Sequence, residues 1–203
     1  MNTFIKNSYV IIPNIIGKEL AKFLFEYIKH RREAFEYLNN IKFISPFNPI
    51  YGTMRDKQIP NTYAHYGDMA LDNLLPFIKD KMEKIVKLKL IENYTYVRLY
   101  KRYDTLVKHK DRESCEISGT MALGGDPWSI YLKNKKRKKI KVDLNPGDIL
   151  IYRGCDLEHW RDPFEGTLCA QVFLHYNKQN EETEKTKFDG RAMLGIPHET
   201  KNI

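Results

Sequence analysis

The chain has 203 residues, of which 42% are hydrophobic and 30% charged, a composition typical of one globular domain rather than of a disordered or fibrous protein. It contains no run of about 18 apolar residues, so we expect no membrane span. Because the N-terminus also lacks the apolar core of a signal peptide, a cytoplasmic protein is expected.

The net charge of +8 is concentrated in one run, Lys133–Lys141, which holds seven basic residues. The run lies between two predicted strands, so a solvated hairpin tip is expected there. Contact with nucleic acid or with an acidic protein is the alternative. The three cysteines, Cys115, Cys155 and Cys169, form no CxxC pair and are expected to be free, small, buried residues.

The N-terminal part predicts a short strand followed by a helix. Residues 9–12 are the strand, and Pro13 ends it. After Gly17, apolar residues recur at helical spacing through Phe35 and Leu38, beginning with Leu20, Phe23, Leu24, Tyr27 and Ile28. His30 is expected to be an exposed helix residue.

Residues 41–66 show no steady period and contain several prolines, which predicts a long loop. We expect this loop to form part of an active-site wall, with Tyr63 and His65 as candidates for substrate contacts. A second helix is predicted from Met69 to Lys89, divided into two where Pro76 interrupts it.

From Glu92 onward, short apolar segments alternate with Gly, Pro, Asn and Asp turns, which is typical of a β-sandwich or barrel. The predicted strands are 94–100, 117–123, 128–132, 140–144, 149–152 and 170–176, with a further strand at His159. His109 and Asp111 precede most of these strands. A His-x-Asp pair and a distant histidine are the ligand types of the 2-His-1-carboxylate triad that binds Fe(II) and leaves coordination positions open.

In this region the chain resembles the 2-oxoglutarate- and Fe(II)-dependent oxygenases, and within them the prolyl-4-hydroxylase-like group. The resemblance covers about residues 92–177. It is carried by the aromatic strand 97–100, His109-Lys110-Asp111, the turn Pro146-Gly147-Asp148, His159 and the last strand 170–176. Segments 111–118 and 158–163 resemble bacterial and viral oxygenases, so a virus-encoded protein is one expectation.

The resemblance implies a single oxygenase domain of mixed α+β class and mainly β structure. Residues 92–177 would form a double-stranded β-helix, a jelly-roll or cupin-like barrel, with the N-terminal helices of residues 1–91 packed on one face and 178–203 as a tail. It also implies the cofactors Fe(II), 2-oxoglutarate and O2, with ascorbate as an accessory. The reaction would hydroxylate a C–H bond of an amino-acid, peptide or protein side chain, with decarboxylation of 2-oxoglutarate to succinate.

The sequence departs from the family where a cation should bind the distal carboxylate of 2-oxoglutarate. Nine to eleven residues after His159 stand Leu168, Cys169 and Ala170, none of which is basic. Arg161 is the first substitute, because on a strand it would share the face of His159. Arg98 is the second, with Tyr100 and Tyr96 on its face as further cosubstrate contacts.

Arg112 and Trp128 are further candidates for substrate contacts. His175 is expected to pack or to lie at the surface rather than to bind metal. Two other functions stay open: a cupin-type metal barrel that does not use 2-oxoglutarate, and a basic nucleic-acid-binding module without catalysis.

Overall fold

A computed structural model describes residues 3–197, which form ten strands and five α-helices. The helices are α1 (Thr3–Asn7), α2 (Lys18–Asn40), α3 (Met69–Asp72), α4 (Leu74–Val86) and α5 (Glu181–Lys185). The strands are β1 (Tyr9–Ile12), β2 (Tyr63–Tyr66), β3 (Leu90–Lys101), β4 (Leu106–His109), β5 (Ile117–Gly125), β6 (Ile130–Lys133), β7 (Lys139–Val142), β8 (Ile149–Arg153), β9 (His159–Arg161) and β10 (Leu168–Lys178).

The strands form two antiparallel sheets. The larger has the order β1-β8-β5-β10-β3-β2 and the smaller the order β4-β9-β6-β7. From β3 onward the chain crosses between the sheets at every connection except the β6–β7 hairpin. The described strands form no closed barrel, so the structure shows the expected mixed, mainly antiparallel class as two facing sheets.

The two faces of the larger sheet differ in chemistry because neighbouring residues of a strand point to opposite sides. Val97 and Leu99 of β3 belong to the apolar core that also contains residues of α2 and α4. Arg98 and Tyr100 therefore face the other way, toward the smaller sheet. Helices α2 and α4 lie on the outer face, and the polar face is enclosed between the sheets.

Several sequence predictions need correction. The predicted loop 41–66 ends in strand β2, which pairs with β3. The helix break falls at Asn73 rather than at Pro76, because Pro76 lies in the first turn of α4, where a missing backbone N–H costs no helical hydrogen bond. Phe23 is 64% exposed and does not belong to the buried stripe of α2.

The tail packs onto the domain through Arg191, which forms a fully buried ion pair with Asp72 at 2.8 Å. Residues 198–203 of the predicted tail lie outside the described residues. Between residues 3 and 197, none of the helices combines the length and apolar character needed to cross a membrane.

Candidate metal centre

His109, Asp111 and His159 meet at one end of the space between the sheets. His109 ends β4 and His159 begins β9, and the two residues are direct partners across the strands. The Asp111 Oδ1 atom lies 3.6 Å from His109 Nε2 and 3.4 Å from His159 Nε2. One ligand atom from each of the three residues lies within 4.8 Å of the others, so a single metal ion could contact all three.

The backbone fixes which nitrogen each histidine offers. Nδ1 of His109 lies 2.8 Å from the carbonyl of Val107, and Nδ1 of His159 lies 3.0 Å from the carbonyl of Leu157. Because a carbonyl only accepts, each Nδ1 must carry the proton, and each Nε2 keeps its lone pair. Both histidines are thus held in the tautomer that binds metal through Nε2.

Two hydrogen bonds orient Asp111, one at its backbone and one at its carboxylate. Its backbone N–H donates to the carbonyl of Gly154, and its Oδ2 accepts from the Ser118 hydroxyl at 2.9 Å. A Cβ at Gly154 would collide with Oδ2, so this turn needs glycine. Burial alone would raise the pKa of the Asp111 carboxyl, but the adjacent imidazole rings of His109 and His159 hold it far below its usual range. The carboxylate is therefore ionised, as a metal ligand must be.

The three residues open into a cavity of about 380 Å³ between the sheets. Arg98, Arg112, Tyr96 and His175 line the same cavity, together with the loop residues Asp56 and Gln58. The hydroxyl of Tyr152 lies 3.3 Å from His159 Nε2. Tyr152 was not among the site residues predicted from the sequence; it lies opposite Ser118 in the pairing of β5 and β8.

Arg161 lies two residues beyond His159 on the same face of β9 and is 1% exposed. Its Nη1 donates to the carbonyl of Trp128, whereas Nε and Nη2 have no hydrogen-bond partner among the described residues. Neither acidic residue near it in the sequence pairs with Arg161: Asp162 pairs with Lys139, and Glu158 pairs with Lys133. Burial lowers the pKa of Arg161, which reflects the cost of holding this charge without a carboxylate.

Further buried polar atoms on the enclosed face of the larger sheet are also without hydrogen-bond partners within residues 3–197. They are the Tyr100 hydroxyl, the Thr120 hydroxyl and the Gln171 side-chain oxygen. Cys169, one of the positions where a cation was expected, is buried near the Arg161 charge. Since unpartnered buried polar groups are rare, the Arg161 guanidinium and the Tyr100 and Thr120 hydroxyls are the donors that a carboxylate ligand would satisfy, whereas the Gln171 oxygen can only accept. The residues present therefore fit both a metal ion and a dicarboxylate.

Arg98 and Tyr96 have a different environment from Arg161, because the loop already supplies a carboxylate. Asp56 Oδ2 accepts from Arg98 Nε at 2.7 Å and from the Tyr96 hydroxyl at 2.9 Å. Gln58 accepts from Arg98 Nη2 at 2.6 Å. The loop thus forms part of the cavity wall, as expected, through Asp56 and Gln58.

The four expected substrate residues are not brought together. Tyr63 and His65 alternate with Ala64 on β2 and share the outer face of the larger sheet: the Tyr63 hydroxyl bonds the Tyr51 carbonyl, and His65 approaches Asp68. The unpredicted strand β2 turns these two side chains away from the cavity, because they lie opposite Leu99 and Val97 of β3. Arg112 does line the cavity and pairs with Asp189 at 2.6 Å. Trp128 packs on Tyr100 and Arg161 instead.

The basic run forms the tip of the β6–β7 hairpin, where Lys135 to Lys139 are exposed. The cysteines are free: Cys115 and Cys169 are buried, but Cys155 is only partly buried, contrary to expectation, and its thiol lies 3.2 Å from the Arg112 carbonyl. His30 is exposed, as predicted.

The sequence matches no protein-family model, and no curated protein matches it. Solved structures do match. A prolyl-4-hydroxylase from Pseudomonas putida is 9% identical with a TM-score of 0.67, over 87% of this chain and 96% of that one. A Trichoplax adhaerens prolyl hydroxylase, in complex with a hypoxia inducible factor peptide fragment, is 14% identical with a TM-score of 0.65, over 91% and 88%. HygX from Streptomyces hygroscopicus, with nickel, 2-oxoglutarate and hygromycin B, is 11% identical with a TM-score of 0.63, over 87% and 85%. The chain has the fold of the 2-oxoglutarate- and Fe(II)-dependent oxygenases, in its prolyl-hydroxylase-like form.

Proposed function

We propose that the protein is an Fe(II)- and 2-oxoglutarate-dependent dioxygenase that hydroxylates a C–H bond of an amino-acid or peptide side chain. In this proposal the strands β3 to β10 form the double-stranded β-helix of that superfamily, with His109, Asp111 and His159 as the metal ligands. Arg161 binds the distal carboxylate of 2-oxoglutarate, and Tyr100 donates a hydrogen bond to it.

The observation that carries the proposal is the guanidinium of Arg161, which has no carboxylate partner among residues 3–197 and lies on the strand that begins with His159. A buried charge without a carboxylate costs several kcal/mol, so a fold retains it where a ligand supplies the missing charge. 2-Oxoglutarate is a dicarboxylate, and a guanidinium forms a two-pronged contact with a carboxylate. Arg161 would hold one carboxylate of this cosubstrate, and His109, Asp111 and His159 would hold the metal ion.

Each residue then has a defined task in the reaction. When bound, Fe(II) and 2-oxoglutarate would supply the O2-dependent chemistry, in which decarboxylation to succinate accompanies hydroxylation of the substrate. The Nδ1 hydrogen bonds of His109 and His159 keep the Nε2 lone pairs directed at the metal. Tyr152 and the apolar residues around Arg161 limit access of water to the site. No general base is needed, which agrees with a cavity whose two lining carboxylates are both committed, Asp111 as a ligand and Asp56 to Arg98 and Tyr96.

The substrate class has weaker support, since the related structures bind different molecules. The Trichoplax enzyme holds a peptide fragment, and HygX holds hygromycin B. We favour an amino-acid or peptide side chain because the two prolyl hydroxylases above match most of this chain. The cavity wall is polar, with Arg98, Arg112 and Asp56, as suits a polar substrate backbone or head group.

Anaerobic titration of the protein with Fe(II) and then 2-oxoglutarate tests the proposal. Chelated 2-oxoglutarate should give a visible charge-transfer band, which His159→Ala should abolish. Arg161→Met should keep metal binding and weaken the band at a given 2-oxoglutarate concentration. Metal binding without any band, at saturating 2-oxoglutarate, would instead favour a cupin-type metal protein with a different reaction.

A further inference from the structure

The Ser118 hydroxyl has three polar neighbours at hydrogen-bond distance. It lies 2.9 Å from Asp111 Oδ2, 3.1 Å from the Cys115 carbonyl and 3.0 Å from His175 Nδ1. The pairing of β5 with β10 brings Ser118 and His175 together, because they are direct cross-strand partners. These contacts connect a candidate metal ligand to a buried histidine on another strand.

The chemistry of the neighbours fixes the direction of every hydrogen bond. A hydroxyl has one proton, and both the Asp111 carboxylate and the Cys115 carbonyl can only accept. If Ser118 gave this proton to His175, its oxygen would face two acceptor oxygens, at 2.9 and 3.1 Å, with no proton between them, so the proton goes to Asp111 or Cys115 instead. Consequently His175 Nδ1 must be the donor, and its proton goes to the Ser118 oxygen.

The surroundings support a neutral histidine in a single tautomer. His175 is 6% exposed, and burial lowers its pKa to about 4. A neutral imidazole has one N–H, which Nδ1 uses, so Nε2 is an acceptor. His175 lines the cavity, and within the described part of the chain its Nε2 has no hydrogen-bond partner. The ring also contacts Tyr94 at a centroid distance of 4.6 Å, which limits its rotation.

We propose that His175 is a positioning residue for the metal centre: through Ser118 it holds Asp111 with Oδ2 bound to protein and Oδ1 directed at the metal. The inference rests on the proposed function, since it assumes that Asp111 is a ligand. Without the hydrogen bond from His175 Nδ1, the Ser118 side chain could rotate and release Asp111. The same tautomer leaves His175 Nε2 as an acceptor facing the substrate cavity.

Two substitutions separate the two nitrogens of His175. In His175→Asn the amide nitrogen stands near the position of Nδ1 and can still donate to Ser118. In His175→Gln the amide reaches the position of Nε2 and no longer supports Ser118. We expect His175→Gln and Ser118→Ala to weaken Co(II) binding about 10- to 100-fold, which is the usual loss when a group that orients a metal ligand is removed. His175→Asn should keep Co(II) affinity within about 3-fold of wild type, because its amide can still donate to Ser118.

The measurement is titration of the full chain with Co(II), whose visible spectrum reports both affinity and coordination geometry. His65→Asn is the matched control, because His65 is equally buried but faces the outer side of the sheet. Equal loss of Co(II) affinity in His175→Asn and His175→Gln would overturn the inference, and so would unchanged affinity in Ser118→Ala. Thermal unfolding of the metal-free variants shows whether a loss of affinity reflects a loss of fold.

A second readout needs no metal. Nitrogen-15 NMR of the histidine rings in the metal-free protein should show His175 protonated at Nδ1, and the opposite tautomer would overturn the inference.

The variant Asp111→Ala distinguishes failure of the proposed metal site from failure of the positioning role of His175. If that variant binds Co(II) as wild type does, the metal site itself is wrong. If it loses Co(II) while the His175 variants do not differ, only the positioning role fails.

Discussion

At the scale of single residues, Arg161 makes opposite predictions for stability and for binding. Its guanidinium is buried with two nitrogens unpartnered among the described residues. Replacing Arg161 with Met should leave the free energy of unfolding unchanged or raise it by about 1 to 3 kcal/mol, because burying a charge without its partner is costly. Urea unfolding of the metal-free variant measures this change.

The same variant should lose its stabilisation by 2-oxoglutarate. At a concentration of 100 times Kd, a ligand raises the unfolding free energy by about 2.7 kcal/mol, and this gain should vanish in Arg161→Met. Arg98→Met is the matched control: it leaves Asp56 without its guanidinium, so it should lower stability and keep the gain from 2-oxoglutarate. If the metal-loaded Arg161 variant gained as much as wild type, Arg161 would not be the carboxylate clamp.

The lowered pKa of His175 predicts how the stability of the metal-free protein changes in mild acid. Its pKa is lowered by burial from 6.5 to about 4, so between these two values the unfolded chain binds a proton that the folded chain does not. Stability should therefore fall as the pH is lowered from 6.5 to 4, by about 3 kcal/mol at most. His175→Asn should remove this part of the loss. Urea unfolding of both proteins across this range tests it, and identical pH slopes would contradict it.

At the scale of elements, the loop before β2 depends on one buried ion pair. Asp56 and Arg98 lie 2.6 Å apart with 9% of each side chain exposed, and the Asn61 N–H closes the loop on the Met54 carbonyl. Asp56→Asn should lower the local opening free energy by about 2 kcal/mol, since hydrogen bonds to charged groups contribute about 1.5 to 3 kcal/mol.

Amide hydrogen exchange measures this opening. Exchange at residues 54–61 should accelerate in Asp56→Asn, whereas exchange in β3 should not change. Asp162→Asn is the control, because its ion pair with Lys139 is about half exposed and should contribute little. Equal protection of the loop in Asp56→Asn and wild type would show that Ile59, which is buried beside Phe173, holds the loop without Asp56.

The elements that sequence analysis predicted well are those with strong local signals. β3 and β10 are long runs rich in aromatic and β-branched residues, and α2 has an apolar period of helical spacing. β2 was missed because Tyr63-Ala64-His65-Tyr66 follows a stretch with several prolines and pairs with β3 residues that lie 30 to 36 positions later in the chain. Propensity within a short window does not contain that pairing.

The candidate site shows the same division. His109, Asp111 and His159 were selected from ligand chemistry, and Arg161 from the alternation of strand residues. Ser118, Tyr152 and His175 were not selected as site residues, because each one reaches the site only through the register of strands that are distant in sequence. Tyr63 and His65 were assigned to the cavity because a residue placed in a loop has no predicted face.

At the scale of the whole molecule, the exposed basic tip of the β6–β7 hairpin should set the binding of polyanions without affecting stability. Changing Lys135, Lys136, Arg137 and Lys138 to Gln should lower the salt concentration needed for elution from heparin and reduce the salt dependence of nucleic-acid binding. The unfolding free energy should change by less than about 0.5 kcal/mol, as is usual for exposed positions.

The control carries the same loss of charge elsewhere, at the exposed Lys18, Lys22, Lys42 and Lys84. If both variants elute alike, the hairpin has no special part in polyanion binding and only the net charge matters. If the hairpin variant alone elutes early, a nucleic-acid or acidic-protein partner for Lys133–Lys141 becomes the better interpretation of the run.

The buried ion pair of Asp72 and Arg191 should make a large contribution to the unfolding free energy, because it joins the tail to the rest of the domain. Asp72 also accepts hydrogen bonds from the backbone N–H groups of Thr95 and Gly195, so one carboxylate joins a helix, β3 and the tail. Arg191→Met leaves this carboxylate buried without its cation and should lower the unfolding free energy by about 3 to 5 kcal/mol. Asp72→Asn combined with Arg191→Met removes the stranded charge and should recover part of the loss, measured by urea unfolding. If the double variant is less stable than Arg191→Met alone, the amide introduced by Asp72→Asn does not replace the Asp72 carboxylate as an acceptor. The hydrogen bonds from Thr95 and Gly195, rather than the ion pair with Arg191, would then hold the tail.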